Sequence, residues 1–151
     1  MNKNIDWVKQ NFKTALQETI CSEVAAQAMY DGKLELISDS LWEDLVDWVN
    51  WISFPLTIFR GLRVSDKDSV NMKSVGINWT TDATLFYEKS AFFDCNIILV
   101  ANIDEDSVDW PATIQNYIYY SLEPKDGIYP EEEITLKRGY DTISNLKNIK
   151  V

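Results

Sequence analysis

Leu56-Thr57-Ile58-Phe59-Arg60-Gly61-Leu62-Arg63-Val64, directly after Pro55, is where the chain changes its grammar. The stretch is rich in β-branched and aromatic side chains and predicts a strand. Upstream, Ile5, Val8, Phe12, Leu16, Ile20 and Val24 recur at steps of three and four, the period of a helix. Ala25, Ala26 and Ala28 carry that pattern towards Asp31-Gly32, which is expected to stop it. A second helix is expected from an Asp39/Ser40 cap, with Glu43 in the capping-box position. Its apolar face is Leu41, Leu45, Trp48 and Val49, with Trp42 and Trp51 flanking. Downstream the expectations are mostly of strands: Gly76 to Asp82 as a turn or short strand, then Asn96 to Ala101, Ile114 to Tyr120, Glu131 to Lys137 and Ile143 to Ile149. Ala83 to Lys89 reads as a short helix, Asp104 to Ser107 as an acidic loop, and Pro124 to Gly127 as a turn. Helices first and strands afterwards predict an α+β domain rather than alternating βαβ units. At 151 residues the chain fits a single domain, with 1–53 its helical portion and 54–151 mainly β.

Composition excludes several kinds of chemistry. There is no histidine, so Ser-His and Cys-His catalytic arrangements are absent. Two cysteines without histidine cannot complete a tetrahedral zinc shell, and no metal is expected. Cys21 and Cys95 each lie among apolar residues and are expected to be buried free thiols of a reducing compartment. Fourteen basic against 24 acidic residues give a net charge of -10. Such a surface repels phosphates, so no direct contact with nucleic acid or an anionic membrane is expected, and a protein partner with a basic surface is. No apolar run approaches the ~18 residues of a membrane span, and the first residues lack the apolar core of a signal peptide. A cytoplasmic protein is the expectation, in the producing cell or in an infected host cell.

Three short motifs carry chemistry. Arg60, beside Gly61, either snorkels to solvent or points into a cleft where its forked donors match a pyrophosphate. Trp79-Thr80-Thr81-Asp82 either makes a turn or supplies hydroxyls to a ribose, with Trp79 as an apolar wall. Glu131-Glu132-Glu133 leads into Ile134-Thr135-Leu136. Alternation along a strand puts Glu131 and Glu133 on one face, where neighbouring carboxylates push one pKa up and divide two roles. The plainer reading is a solvated acidic strand end.

In this order the motifs resemble those of the ADP-ribosyltransferase family, in its toxin-like branch with an arginine, a Ser/Thr-Thr-Ser-type motif and a Glu-x-Glu. The matching segments are Leu56 to Leu62, Gly76 to Asp82 and Glu131 to Leu136. The resemblance implies a split, mostly antiparallel sheet with the N-terminal helices packed on it, and NAD as substrate. It implies that Arg60 holds the NAD phosphates and that the Gly61 backbone grips the nicotinamide amide. Thr80, with Thr81 beside it, is implied to bind the ribose, and Phe86 to pack near the nicotinamide. Glu133 is implied to be the catalytic carboxylate, and Glu131 to orient or deprotonate the acceptor. The position of the family's first serine falls on Trp79; either the register shifts by one residue or that hydrogen bond is lost. The implied activity is transfer of ADP-ribose to an arginine-like nitrogen of a protein, for instance a host factor modified by a phage-type effector. Two other readings stay open: a non-catalytic acidic inhibitor, such as a pseudo-enzyme or DNA mimic, and an NAD glycohydrolase.

Overall fold

The computed structural model describes residues 3–62, 78–82, 97–123 and 133–137, together with the backbone of 143–150. The chain divides into two compact units, Met1–Ser53 with Trp110–Glu131 and Phe54–Asp109 with Glu132–Val151. The fold is α+β: the first unit is helical and the second holds an antiparallel sheet. Among the described residues, no helix is long and apolar enough to cross a membrane.

The helical unit contains α1 (Ile5–Thr19), α2 (Glu23–Leu36), α3 (Asp39–Trp51) and α4 (Trp110–Leu122). The long helix expected from the N-terminal periodicity is two helices. The α1 helix starts at Asn4, whose side chain accepts the Trp7 N–H at 2.9 Å. It ends where the Thr19 hydroxyl turns back onto the Ala15 carbonyl at 3.0 Å. Ser22 starts α2 by accepting the Ala25 N–H at 3.2 Å. Capping satisfies donors that a helix start leaves open, and here it outweighs an apolar period that runs on across the break. Gly32 lies inside α2 and does not stop it. A mid-helix glycine costs about 1 kcal/mol relative to alanine and does not by itself end a helix. The α3 cap is Ser38, which accepts the Leu41 N–H at 3.1 Å, not Asp39 or Ser40. Glu43 therefore falls outside the capping-box position. Trp42 is core at 2% exposed, whereas Trp51 is 69% exposed.

The segment Ile114 to Tyr120, expected as a strand, lies in α4. Its β-branched and aromatic content suggested a strand, but the buried positions Trp110, Thr113, Ile114, Tyr117 and Ile118 follow the helical period. Pro111 sits in the first turn, where its missing N–H costs nothing. Aromatic contacts knit this unit. Phe12 meets Trp42 and Tyr30 at centroid distances of 6.2 and 6.1 Å, and Trp48 stacks on Tyr117 at 5.4 Å. Lys3 ties down the start of the chain. Its Nζ lies 5.7 and 5.4 Å from the Trp7 and Trp110 rings, and its backbone exchanges two hydrogen bonds with the Asn50 amide. Cys21, expected to be buried, is exposed because it falls in the break between α1 and α2. Cys95 lies outside the described residues.

The sheet unit contains β1 (Leu56–Leu62), β2 (Asn78–Thr80), β3 (Ile97–Ile103), β4 (Glu133–Thr135) and β5 (Ile143–Lys150). Their order is β4-β2-β1-β3-β5, with every neighbour antiparallel. The β1–β3 ladder runs from Leu56↔Ile103 to Leu62↔Ile97. One face collects Ile58, Ile97, Leu99, Ala101, Ile103, Trp79 and Ile134, all buried. The acidic stretch after β3 is a 3-10 turn, Glu105–Ser107, anchored to the end of β4. Lys137 N–H donates to Ser107 O and Asp109 N–H to Thr135 O, both at 2.8 Å. The expected helix of Ala83 to Lys89 and the turn of Pro124 to Gly127 lie outside the described residues.

Candidate functional site

Arg60 lies in β1, Thr80 in β2 and Glu133 in β4, and these strands are consecutive neighbours in the sheet. The registers Glu133↔Thr80 and Thr80↔Phe59 draw one row across the three strands, and Arg60 follows Phe59. With strands about 4.8 Å apart, the backbones of Arg60 and Glu133 are separated by roughly two strand spacings, within reach of an arginine side chain. Residues far apart in sequence thus come onto neighbouring strands because β2 pairs with both β1 and β4.

The pleat sorts these residues by face. Thr80 and Glu133 stand directly opposite each other and share a face with Asn78 and Thr135, which form the adjoining pair. Thr135 Oγ1 donates to Asn78 Oδ1 at 3.2 Å. Thr80 Oγ1 accepts the Asp82 N–H at 3.0 Å. Trp79 points the other way, is 2% exposed and pairs with Ile134. It belongs to the core and is not the ligand-facing apolar wall that the sequence suggested. An alternating strand cannot present Trp79 and Thr80 on one side.

Arg60 is the least regular member. Alternation groups it with Ile58 and Leu62, on the face of Trp79 rather than that of Thr80. Its Nη1 nevertheless donates to the Asn78 backbone carbonyl, and its charge acts on Glu133. Gly61 is half-buried in β1 opposite Ile98, and Thr81 is half-exposed after β2. Glu131 and Phe86 lie outside the described residues.

Glu133 is half-buried, and loss of solvent pushes its pKa above the ordinary 4.5. The Arg60 guanidinium opposes that rise. A carboxyl held partly out of water, with a hydroxyl opposite and a cation within electrostatic range, is suited to stabilising positive charge that develops nearby. Asn78 is a functional candidate missed from the sequence. Its carbonyl receives Arg60 and its side chain receives Thr135, so it joins the arginine to the strand of Glu133. The signal was present as a polar-Trp-polar alternation, Asn78-Trp79-Thr80, with Trp79 inward. Compared with protein-family models, curated proteins and solved structures, the chain matches none.

Proposed function

We propose that this protein is a mono-ADP-ribosyltransferase, moving ADP-ribose from NAD to a nitrogen of a protein side chain. The observation that carries the reading is the adjacency of β4, β2 and β1, which gathers the acid, hydroxyl and arginine motifs into one part of the sheet. In this reading, the bond between nicotinamide and the anomeric carbon breaks, and its electron pair leaves with nicotinamide. Positive charge spreads over the anomeric carbon and the ring oxygen. Glu133 stabilises that charge while hydrogen-bonded to the ribose, and Thr80 holds ribose and carboxylate in place. The acceptor nitrogen forms the new bond and gives its proton to a base, the role assigned to Glu131. Arg60 holds the pyrophosphate, releasing or sharing its bond to the Asn78 carbonyl. The net charge of -10 favours a basic target.

A second reading has its own support. The Arg60 guanidinium is engaged on the Asn78 carbonyl and sits in a face-inward register, as befits a fold that kept the motif and lost the reaction. Such a chain would act as an acidic inhibitor of a basic protein surface.

Incubation with labelled NAD and a cell lysate separates the readings. Label on a protein, lost in Glu133→Gln with NAD binding retained, is the expected result. Free nicotinamide without labelled protein indicates a glycohydrolase. Full transfer by Glu133→Gln removes this residue from the chemistry. Neither transfer nor nicotinamide release leaves the inhibitor.

A further inference from the structure

The α2 helix is fastened along one edge only. Of its 14 residues only Ala26 is buried. On that edge Tyr30 meets Phe12 at 6.1 Å and receives Lys13 over its ring at 5.6 Å. Lys33 on the same side lines a small hollow with Phe12 and Leu16 of α1. Elsewhere the helix leaves apolar side chains exposed. Val24 is 82%, Leu36 64% and Met29 45% exposed. At 3.6 residues per turn, Val24, Ala25, Ala28, Met29, Gly32 and Leu36 fall within an arc of about 140°, with Gly32 near its middle. A Cβ placed on Gly32 would find no atom within 4 Å. Nothing in the fold therefore needs a glycine there, although alanine would make a more stable helix. A glycine and two alanines at a helix surface do let a second backbone approach closely.

The charge around this surface is one-sided. Asp31 borders the arc just beyond Val24, Glu35 one turn on falls inside it between Val24 and Ala28, and Gln27, bonded to Asp31 at 2.9 Å, lies one turn before Asp31. Lys33, the helix's single basic residue, is on the fastened edge. A second copy of α2 packed antiparallel would set these acids against their own counterparts, a repulsive arrangement. The whole chain adds a net charge of -10, which also opposes self-association and attracts cations.

We propose that the exposed face of α2 docks a basic amphipathic helix of another protein, its apolar stripe over Gly32 and its lysines or arginines along Asp31 and Glu35. The residues of this face all belong to the helical unit, and the proposal does not depend on NAD chemistry. A helix laid in this way anchors through residues spaced three and four apart. The small residues admit it closely, Val24, Met29 and Leu36 supply the apolar contact, and the acidic row sets its orientation.

The test is titration of the full chain against a labelled synthetic helical peptide with a leucine stripe bordered by lysines. The control peptide keeps the leucines and replaces the lysines by glutamates. The lysine peptide is expected to bind, and the control to bind at least about tenfold more weakly. Met29→Lys with Leu36→Lys should weaken the lysine peptide by a further factor of about ten, with helix content and melting temperature kept. Gly32→Arg, which improves helix propensity, should do the same without removing any side chain. Equal binding of both peptides, wild-type affinity in both variants, or absence of binding would each overturn the proposal. So would sedimentation of the free protein as a dimer that Met29→Lys dissociates, because the occupant would then be a second copy.

Discussion

Glu133 is a side chain whose burial works against its ionisation. Its carboxyl is partly withdrawn from water and its pKa is raised by that burial, with Arg60 pulling the other way. A native pKa above the unfolded one means that, in a window starting near 4.5, the folded chain still holds a proton that the unfolded chain has lost. Stability from this group is therefore complete below that window and lost as pH rises through the folded pKa. Glu133→Gln is expected to melt higher than the parent chain at neutral pH, with the gap closing in acid. Melting curves of both proteins across pH check this; a lower melting temperature for the variant at neutral pH contradicts it. Asn78→Ala should act differently. It removes the acceptor of Thr135 Oγ1 but keeps the carbonyl that receives Arg60, so under the proposed function NAD binding should weaken while the pH dependence set by Glu133 is kept. Calorimetric titration with NAD measures the first effect, and the pH dependence of melting the second.

At the scale of the element, α2 is the most exposed piece of the helical unit, and its stability rests on local terms. Ser22 caps it, and Gly32 weakens its middle. Ser22→Ala should cost about 1 kcal/mol of stability. Gly32→Ala should add about 0.5–1 kcal/mol, because its Cβ would meet nothing and the unfolded chain loses freedom. Denaturant unfolding followed by circular dichroism reads both. The same element shows where sequence patterning stops being informative. Ile5 to Val24 keeps one apolar period across two helices, and only the cap at Ser22 marks the join. In α4 the composition pointed to a strand while the spacing of Ile114, Tyr117 and Ile118 pointed to a helix, and the spacing was the better guide. Packing decides such cases, because each of those side chains had to reach one core.

Across the whole molecule the excess of acid is a distributed cost. Like charges repel in the folded state, and salt screens them. Raising ionic strength from about 0.01 M to 0.15 M shortens the screening length from about 30 to 8 Å. The melting temperature is expected to rise over that range, as differential scanning calorimetry would show; a fall would mean that favourable ion pairs outweigh the repulsion. Lys3 is a local exception, a cation held against both the Trp7 and Trp110 rings. Lys3→Ala should therefore destabilise by about 1 kcal/mol even though it lowers the positive count of an acidic chain.

Much of this molecule was legible as a string of residues. The change from a period of three and four to β-branched runs after Pro55 announces helices followed by strands. The strands beginning at Leu56 and near Asn96 and Ile143 follow from local side-chain preference. The absence of histidine and the acid excess limit the chemistry without any coordinates. Other features depended on tertiary structure. That β2 lies between β1 and β4, bringing Thr80 opposite Glu133, is a pairing between segments more than fifty residues apart, chosen by burial and hydrogen-bond geometry. That Trp79 turns inward and Asn78 outward follows from which side of the sheet became the core, and only the packed chain decides that.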